Sequence, residues 1–230
     1  MPSKSSHLIS LAADQRGLVT SRQAGRVASA TPQQLKRLAD SGVLERLHHG
    51  IYRLARVPPD DHLEMRVAWL ALDPGTVTWE RARQEVPTGV VSHRSAARLH
   101  RLGDLEADEV ELTTTRRIRL SLPDVVIHRG PLVRDDWQIV DGLPVTTARR
   151  TIGDLAEDSL DSGHLASVVR DALTGSMLTI DQAVEALAPH AFRYGHRALD
   201  GAGFLDALIA EAGVPLNTLA LADIARRLES

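Results

Sequence analysis

The chain has 230 residues, 43% of them apolar, enough to fill a core in one large domain or two small ones. Cysteine is absent, which excludes a disulfide framework, a thiolate zinc site and a cysteine nucleophile, and fits a reducing cytosol. No run approaches the roughly 18 apolar residues of a membrane span, and the N-terminus MPSKSSHLISLAADQRG has too short an apolar stretch for a secretory signal; a cytoplasmic protein with no membrane partner is expected.

The net charge of -3 hides a division at Pro58-Pro59. Residues 1–57 hold nine basic groups against three acids (Asp14, Asp40 and Glu45), a net of +6, so the remainder carries -9. A basic head on an acidic body suits a nucleic-acid footprint confined to the head, the alternative being a solvated charged surface.

In chain order, Leu8, Ile9, Leu11 and Ala12 recur at helical spacing and stop at Gly17, which tolerates the left-handed turn after a helix. Thr20-Ser21-Arg22-Gln23 is a T-x-x-Q capping box. The device returns at Thr31-Pro32-Gln33-Gln34, with Pro32 at the first helical position, where its missing amide proton costs nothing. A helix is predicted from about Pro32 to Ser41, ended by Gly42, with Leu35, Leu38 and Ala39 toward the core and Gln33, Lys36, Arg37 and Asp40 elsewhere around it. Gln bonds adenine bidentately, and Lys or Arg bonds guanine or neutralises phosphate. Residues 43–55 then alternate on both sides of His48-His49-Gly50, a hairpin signal of three residues. Three helices and a hairpin make the order of a winged helix, which binds DNA or, in the alternative, serves protein contacts only. His48 and His49 at the wing tip have no nearby third metal ligand in the sequence, and phosphate or minor-groove contact is expected there.

Beyond a linker at 55–60, a helix is expected over about 61–72, closed by Asp73-Pro74-Gly75. Ser92 is placed as the cap of a second helix, SHRSAARLHRLG, ending at Gly103. Residues 110–115, 117–122, 125–129 and 137–146 read as short strands, the last turned at Asp141-Gly142, which makes the sheet antiparallel there. Thr147 caps ARRTIGDLAED, and helices follow at about 164–173, 180–187, 198–212 and 218–228.

GVLERLHHGIYRL in the wing, VVSHRSAARLHRLG in the body and above all DGLPVTTARRTIGDLAED together resemble the AbiEi family of antitoxins of type IV toxin-antitoxin systems, over about Leu8 to Asp158. The resemblance implies a repressor of its own operon whose N-terminal domain binds inverted repeats in double-stranded DNA. It also implies a C-terminal domain needed to neutralise a nucleotidyltransferase toxin. Carried onto this sequence, the DNA-contacting positions are Arg22, Thr31, Gln33, Gln34, Lys36, Arg37, Arg46, His48, His49 and Arg53. Where the family's wing tip often holds an arginine this chain has His49, so phosphate affinity from the wing is expected to depend on pH.

Metal-dependent nucleases need clustered carboxylates and usually a lysine near the scissile phosphate. The only lysines are Lys4 and Lys36, both in the head, and no G-x-S-x-G, P-loop or H-E-x-x-H motif is present. No enzyme, catalytic residue, metal or cofactor is expected. His93 and His100, seven apart, are too distant along a helix to share one ion and are expected on a partly exposed surface. Asp135-Asp136 reads as a solvated loop start. Arg116, Arg117 and Arg119 read as a basic strand that touches DNA backbone or a partner, or merely lines an exposed sheet face. The tail at 159–230, with nine acids and five arginines, is the place to look for a protein partner, although Phe204, Leu205, Leu208 and Ile209 belong mostly to the core.

The expected architecture is α+β. A winged helix-turn-helix at 1–57 precedes an antitoxin domain at 60–230, which is a mixed α/β body with a short antiparallel sheet to about 158 and a helical tail at 159–230. The expected function is a DNA-binding antitoxin that represses its own operon and counteracts its toxin. The alternatives are a winged-helix regulator whose C-terminal domain senses a ligand or oligomerises, without a toxin, and a non-catalytic protein that antagonises a partner by direct binding.

Overall fold

A computed structural model describes residues 4–81 and 83–213; the helix expected at 218–228 lies outside them. The architecture is mixed α+β, and its tertiary contacts divide it into two compact units, residues 1–89 with 114–125 and residues 90–113 with 126–230. The Pro58-Pro59 break therefore falls inside the first unit. Among the described residues no helix is long and apolar enough to cross a membrane.

The first unit begins α1 (Lys4–Ala13), β1 (Leu18–Thr20), α2 (Ser21–Ala28), α3 (Pro32–Asp40), β2 (Leu44–His48), β3 (Ile51–Leu54). Both capping boxes form: Thr20 accepts from the Gln23 amide and Thr31 from the Gln34 amide, each glutamine returning a bond to the cap backbone. β1 was not expected from the sequence. It is three residues long, wholly buried, and pairs antiparallel with β3 (Val19 opposite Tyr52), giving the sheet order β1-β3-β2. Too short for alternation to register, it exists because β3 offers it a ladder. The hairpin of β2 and β3 turns on His49-Gly50, with Gly50 at φ +74° and a register shift between Arg46 and His48. Leu8, Leu11, Val19, Ala24, Leu35, Leu44 and Leu54 form the core.

The same unit continues with α4 (Leu63–Leu72) and α5 (Thr78–Arg81). Arg81 is buried and donates to the carbonyls of Trp69, Leu70 and Asp73 while lying over the Trp69 ring, 4.4 Å from its centroid. A cation thus satisfies the open C-terminus of α4; burial pulls the Arg81 pKa down to about 10.

The second unit holds a five-stranded sheet of β4 (Val90–Val91), β5 (Val110–Thr114), β6 (Val125–Arg129), β7 (Trp137–Val140) and β8 (Leu143–Thr146), in the order β6-β5-β4-β8-β7. The Asp141-Gly142 hairpin forms as expected, but β4 pairs parallel with β8, so the sheet is mixed. Around it lie α6 (His93–His100), α7 (Ala148–Glu157), α8 (Ser162–Thr174), α9 (Ile180–Leu187) and α10 (Gly201–Glu211), with a 3-10 segment at Ala188–Tyr194. Thr147 caps α7 as expected, accepting from the Arg150 amide. Ile152, Leu155, Leu165, Val169, Phe204 and Leu208 are central to the core.

Four further expectations for the body are corrected. Asp136 is not solvated: it is 8% exposed, pairs with Arg150 at 3.0 Å and accepts from the Val133 amide, while Asp135 is exposed. Residues 117–122 are not a strand: the chain leaves the sheet after Thr114, crosses to the first unit and re-enters at Val125. Ile118, Leu120 and Leu122 are half-buried there without a ladder, which satisfies the alternation that imitated a strand. Ser92 precedes α6 but makes no capping bond; its hydroxyl faces Thr113 and His93 instead. His93 and His100 are not on an exposed face, being 6% and 7% exposed. α6 is built of small residues buried on several sides, Ser95, Ala96 and Ala97 among them, so neighbours close over both ends, and His100 Nε2 bonds the Thr146 carbonyl at 2.7 Å.

Candidate nucleic-acid interface

The capping box at Thr31 fixes where α3 starts and therefore which side chains share a face. Counting from Gln33, residues i, i+3, i+4 and i+7 are Gln33, Lys36, Arg37 and Asp40, and all four are exposed. Leu35 on the opposite side is buried, with Leu38 and Ala39 half-buried beside it. The polar residues thus form one outward stripe. Lys36 Nζ lies 2.7 Å from Asp40 Oδ2, both exposed, an intrahelical pair that offers little stability and gives way to a competing anion.

The other sequence-derived positions are dispersed around the same unit. Thr31 and Gln34 are engaged with each other in the cap. Arg46 is exposed beside the hairpin tip, meeting His49 Nδ1 at 3.1 Å and the His48 carbonyl at 3.4 Å. Arg53 is the least available: its side chain is 12% exposed and bonded to Glu45 at 2.5 Å. Two concavities collect the rest. A groove of about 730 Å³ takes Lys36 and Arg46 together with Asp40 and Glu45. A cleft of about 370 Å³ brings Arg22 from the start of α2 to His48 and His49 at the hairpin tip, with Leu120 and Leu122 on its wall.

That wall is what sequence reasoning missed. The 114–125 excursion places Arg116, Arg117 and Arg119, all exposed, in the same unit as the head. The first unit then carries fifteen basic and ten acidic residues, a net of +5, and the second a net of -8. The basic composition of the segment was visible; its destination was not, because a crossing between units leaves no local periodicity.

A buried polar network sets α2 in place. Gln23, fully buried, exchanges amide bonds with Gln15 at 3.1 and 3.2 Å, accepts from the Thr20 amide and donates to the Thr76 carbonyl at 2.8 Å; Gln15 also accepts from Thr78. Arg26 pairs with Glu80 at 2.5 Å. The helix pair of the head is thereby tied to the segment around α5.

The capped pair of α2 and α3 thus holds one polar stripe of α3 toward solvent. Residues 7–55 match the family model described as a transcriptional regulator, AbiEi antitoxin, and the resemblance read from the sequence holds over this segment. Among solved structures, the crystal structure of the RV2827C protein from Mycobacterium tuberculosis is similar in fold, with a TM-score of 0.53 at 19% identity, covering 97% of this chain and 82% of that one. No curated protein matches the chain.

Proposed function

We propose that the head is a winged helix-turn-helix that binds operator DNA, probed most directly through α3, and that the chain is an antitoxin repressing its own operon and counteracting a nucleotidyltransferase toxin. The observation that carries the reading is the exposed Gln33, Lys36 and Arg37 stripe, set on a helix whose start is fixed by the Thr31 cap, inside the segment that matches an antitoxin regulator family. In this reading α3 enters the major groove, where Gln33 and Arg37 reach base edges and Lys36 leaves Asp40 for phosphate. Arg22, Arg46, His48 and His49 contact the flanking backbone at the hairpin tip, which is the wing, and inverted repeats receive two copies. The protein acts in the cytoplasm and is not an enzyme: it works by occupying DNA and opposing its toxin.

Mobility shift with the duplex upstream of its own gene tests DNA binding, and co-expression with the neighbouring gene product tests the antitoxin. A Lys36→Ala/Arg37→Ala double variant is expected to lose operator binding while still rescuing cells from the toxin. Loss of rescue by a folded double variant would overturn the division of labour. The family match ends at residue 55, and that observation favours one second reading, a winged-helix regulator whose body senses a ligand or oligomerises. Absence of a nucleotidyltransferase gene beside this one selects it.

A further inference from the structure

Three side chains from separate elements of the second unit meet in a cluster that the regulator reading does not use. His93 opens α6, Glu111 lies on β5 and His128 on β6. One ligand atom from each lies within 4.8 Å of the others. The imidazoles of His93 and His128 stack, centroids 3.6 Å apart and planes 14° from parallel, and His128 Nε2 donates to Glu111 Oε2 at 2.8 Å. We propose that His93, Glu111 and His128 bind a zinc ion that clamps the start of α6 to β5 and β6.

The donor set selects the metal. Two imidazoles and one carboxylate disfavour magnesium and calcium, which take oxygen alone, and suit a borderline ion such as zinc. Three protein ligands leave the fourth position of a tetrahedron for water. Donors around a tetrahedral zinc at about 2.0–2.2 Å stand roughly 3.3–3.5 Å apart. The His128–Glu111 spacing of 2.8 Å is shorter than that and the two imidazoles are stacked, so binding turns the rings out of the stack until both planes meet at the ion. The ion would replace the proton shared by His128 and Glu111.

The surroundings orient the donors. His93 Nδ1 is held by Ser92 Oγ at 2.9 Å, which itself accepts from Thr113 Oγ1 at 2.8 Å, and these contacts fix the ring. Glu111 Oε1 receives the Arg94 amide at 3.3 Å, leaving Oε2 to His128. His93 also holds φ +53°, a sparsely populated conformation for a residue with a Cβ. Asp158 Oδ2, 3.7 Å from His93 Nε2, supplies negative charge nearby.

The test uses the full chain without an affinity tag, stripped with chelator and titrated with zinc against a chromophoric competitor. One equivalent is expected to bind, and His128→Asn and Glu111→Gln are each expected to weaken binding at least ~100-fold, Ser92→Ala ~10-fold. His164→Ala, an exposed histidine outside the cluster, should leave the affinity unchanged. Cobalt supplies a readout independent of any variant's folding: intense visible bands of a four-coordinate ion are expected in the wild type. Absence of a tight equivalent, six-coordinate cobalt bands, or binding retained in His128→Asn would overturn the proposal.

Discussion

At the scale of single residues, Gln23 shows how one side chain joins local and distant structure. Its amide closes the cap of α2, yet it also exchanges bonds with Gln15 and donates to the Thr76 carbonyl, all away from water. Gln23→Ala removes both functions and takes away the partner of the Thr20 amide and of the Thr76 carbonyl; a loss of ~2–4 kcal/mol in urea unfolding is expected. A loss no larger than that of an ordinary exposed cap would show the network to be unimportant. The capping role was legible in the T-x-x-Q spacing; the bond to a carbonyl 53 residues away had no local signal. His100 is a second case. Burial lowers its pKa, against the bond to Thr146, so the native state resists a proton that the unfolded chain accepts. That contribution is complete above the unfolded value near 6.5 and is lost as pH falls below it, by at most ~1.4 kcal/mol per pH unit. Unfolding of the wild type between pH 7 and 5, with chelator present, is expected to show a steeper decline than that of His100→Gln, which keeps a donor for Thr146 but does not titrate. Parallel curves would contradict this.

Among elements, α3 was the most legible and the 117–122 segment the least. A capping box, a proline at the first turn and an apolar stripe agree on one helix, so its outward face could be named from spacing alone. Residues 117–122 carry the alternation of a strand but no partner, and pairing is a property of the sheet rather than of the segment. The His93 cluster escaped for a similar reason: helical spacing compared His93 with His100, whereas its neighbours arrive from β5 and β6. Two predictions belong to α3. Arg37→Ala, at a base-edge position, is expected to cost ~1–3 kcal/mol of operator binding and to relax sequence preference. Asp40→Asn removes the competitor of Lys36 and a negative charge from the stripe; a several-fold tighter complex at low salt, vanishing at high salt, is expected. Weaker binding by Asp40→Asn would place α3 away from the duplex.

For the whole molecule, the charge division of the sequence order, +6 against -9, persists between the two units as +5 against -8, because the excursion at 114–125 carries Arg116, Arg117 and Arg119 to the basic unit and offsets most of the net negative charge of residues 58–89. If these arginines meet phosphates, replacing all three by alanine lowers the slope of log K against log salt by ~3 without changing which sequence is preferred. Altered preference would assign them to bases instead. The central claim is that the head reads DNA through α3, and binding of the full-length protein to the duplex upstream of its own gene, across about 50–200 mM salt and beside a shuffled duplex, tests it most directly. Tighter binding to the upstream duplex, falling with salt and weakened at least ~10-fold in Lys36→Ala/Arg37→Ala, is the predicted result. No binding by the wild-type protein at the lowest salt, or equal binding by the folded double variant, would contradict it.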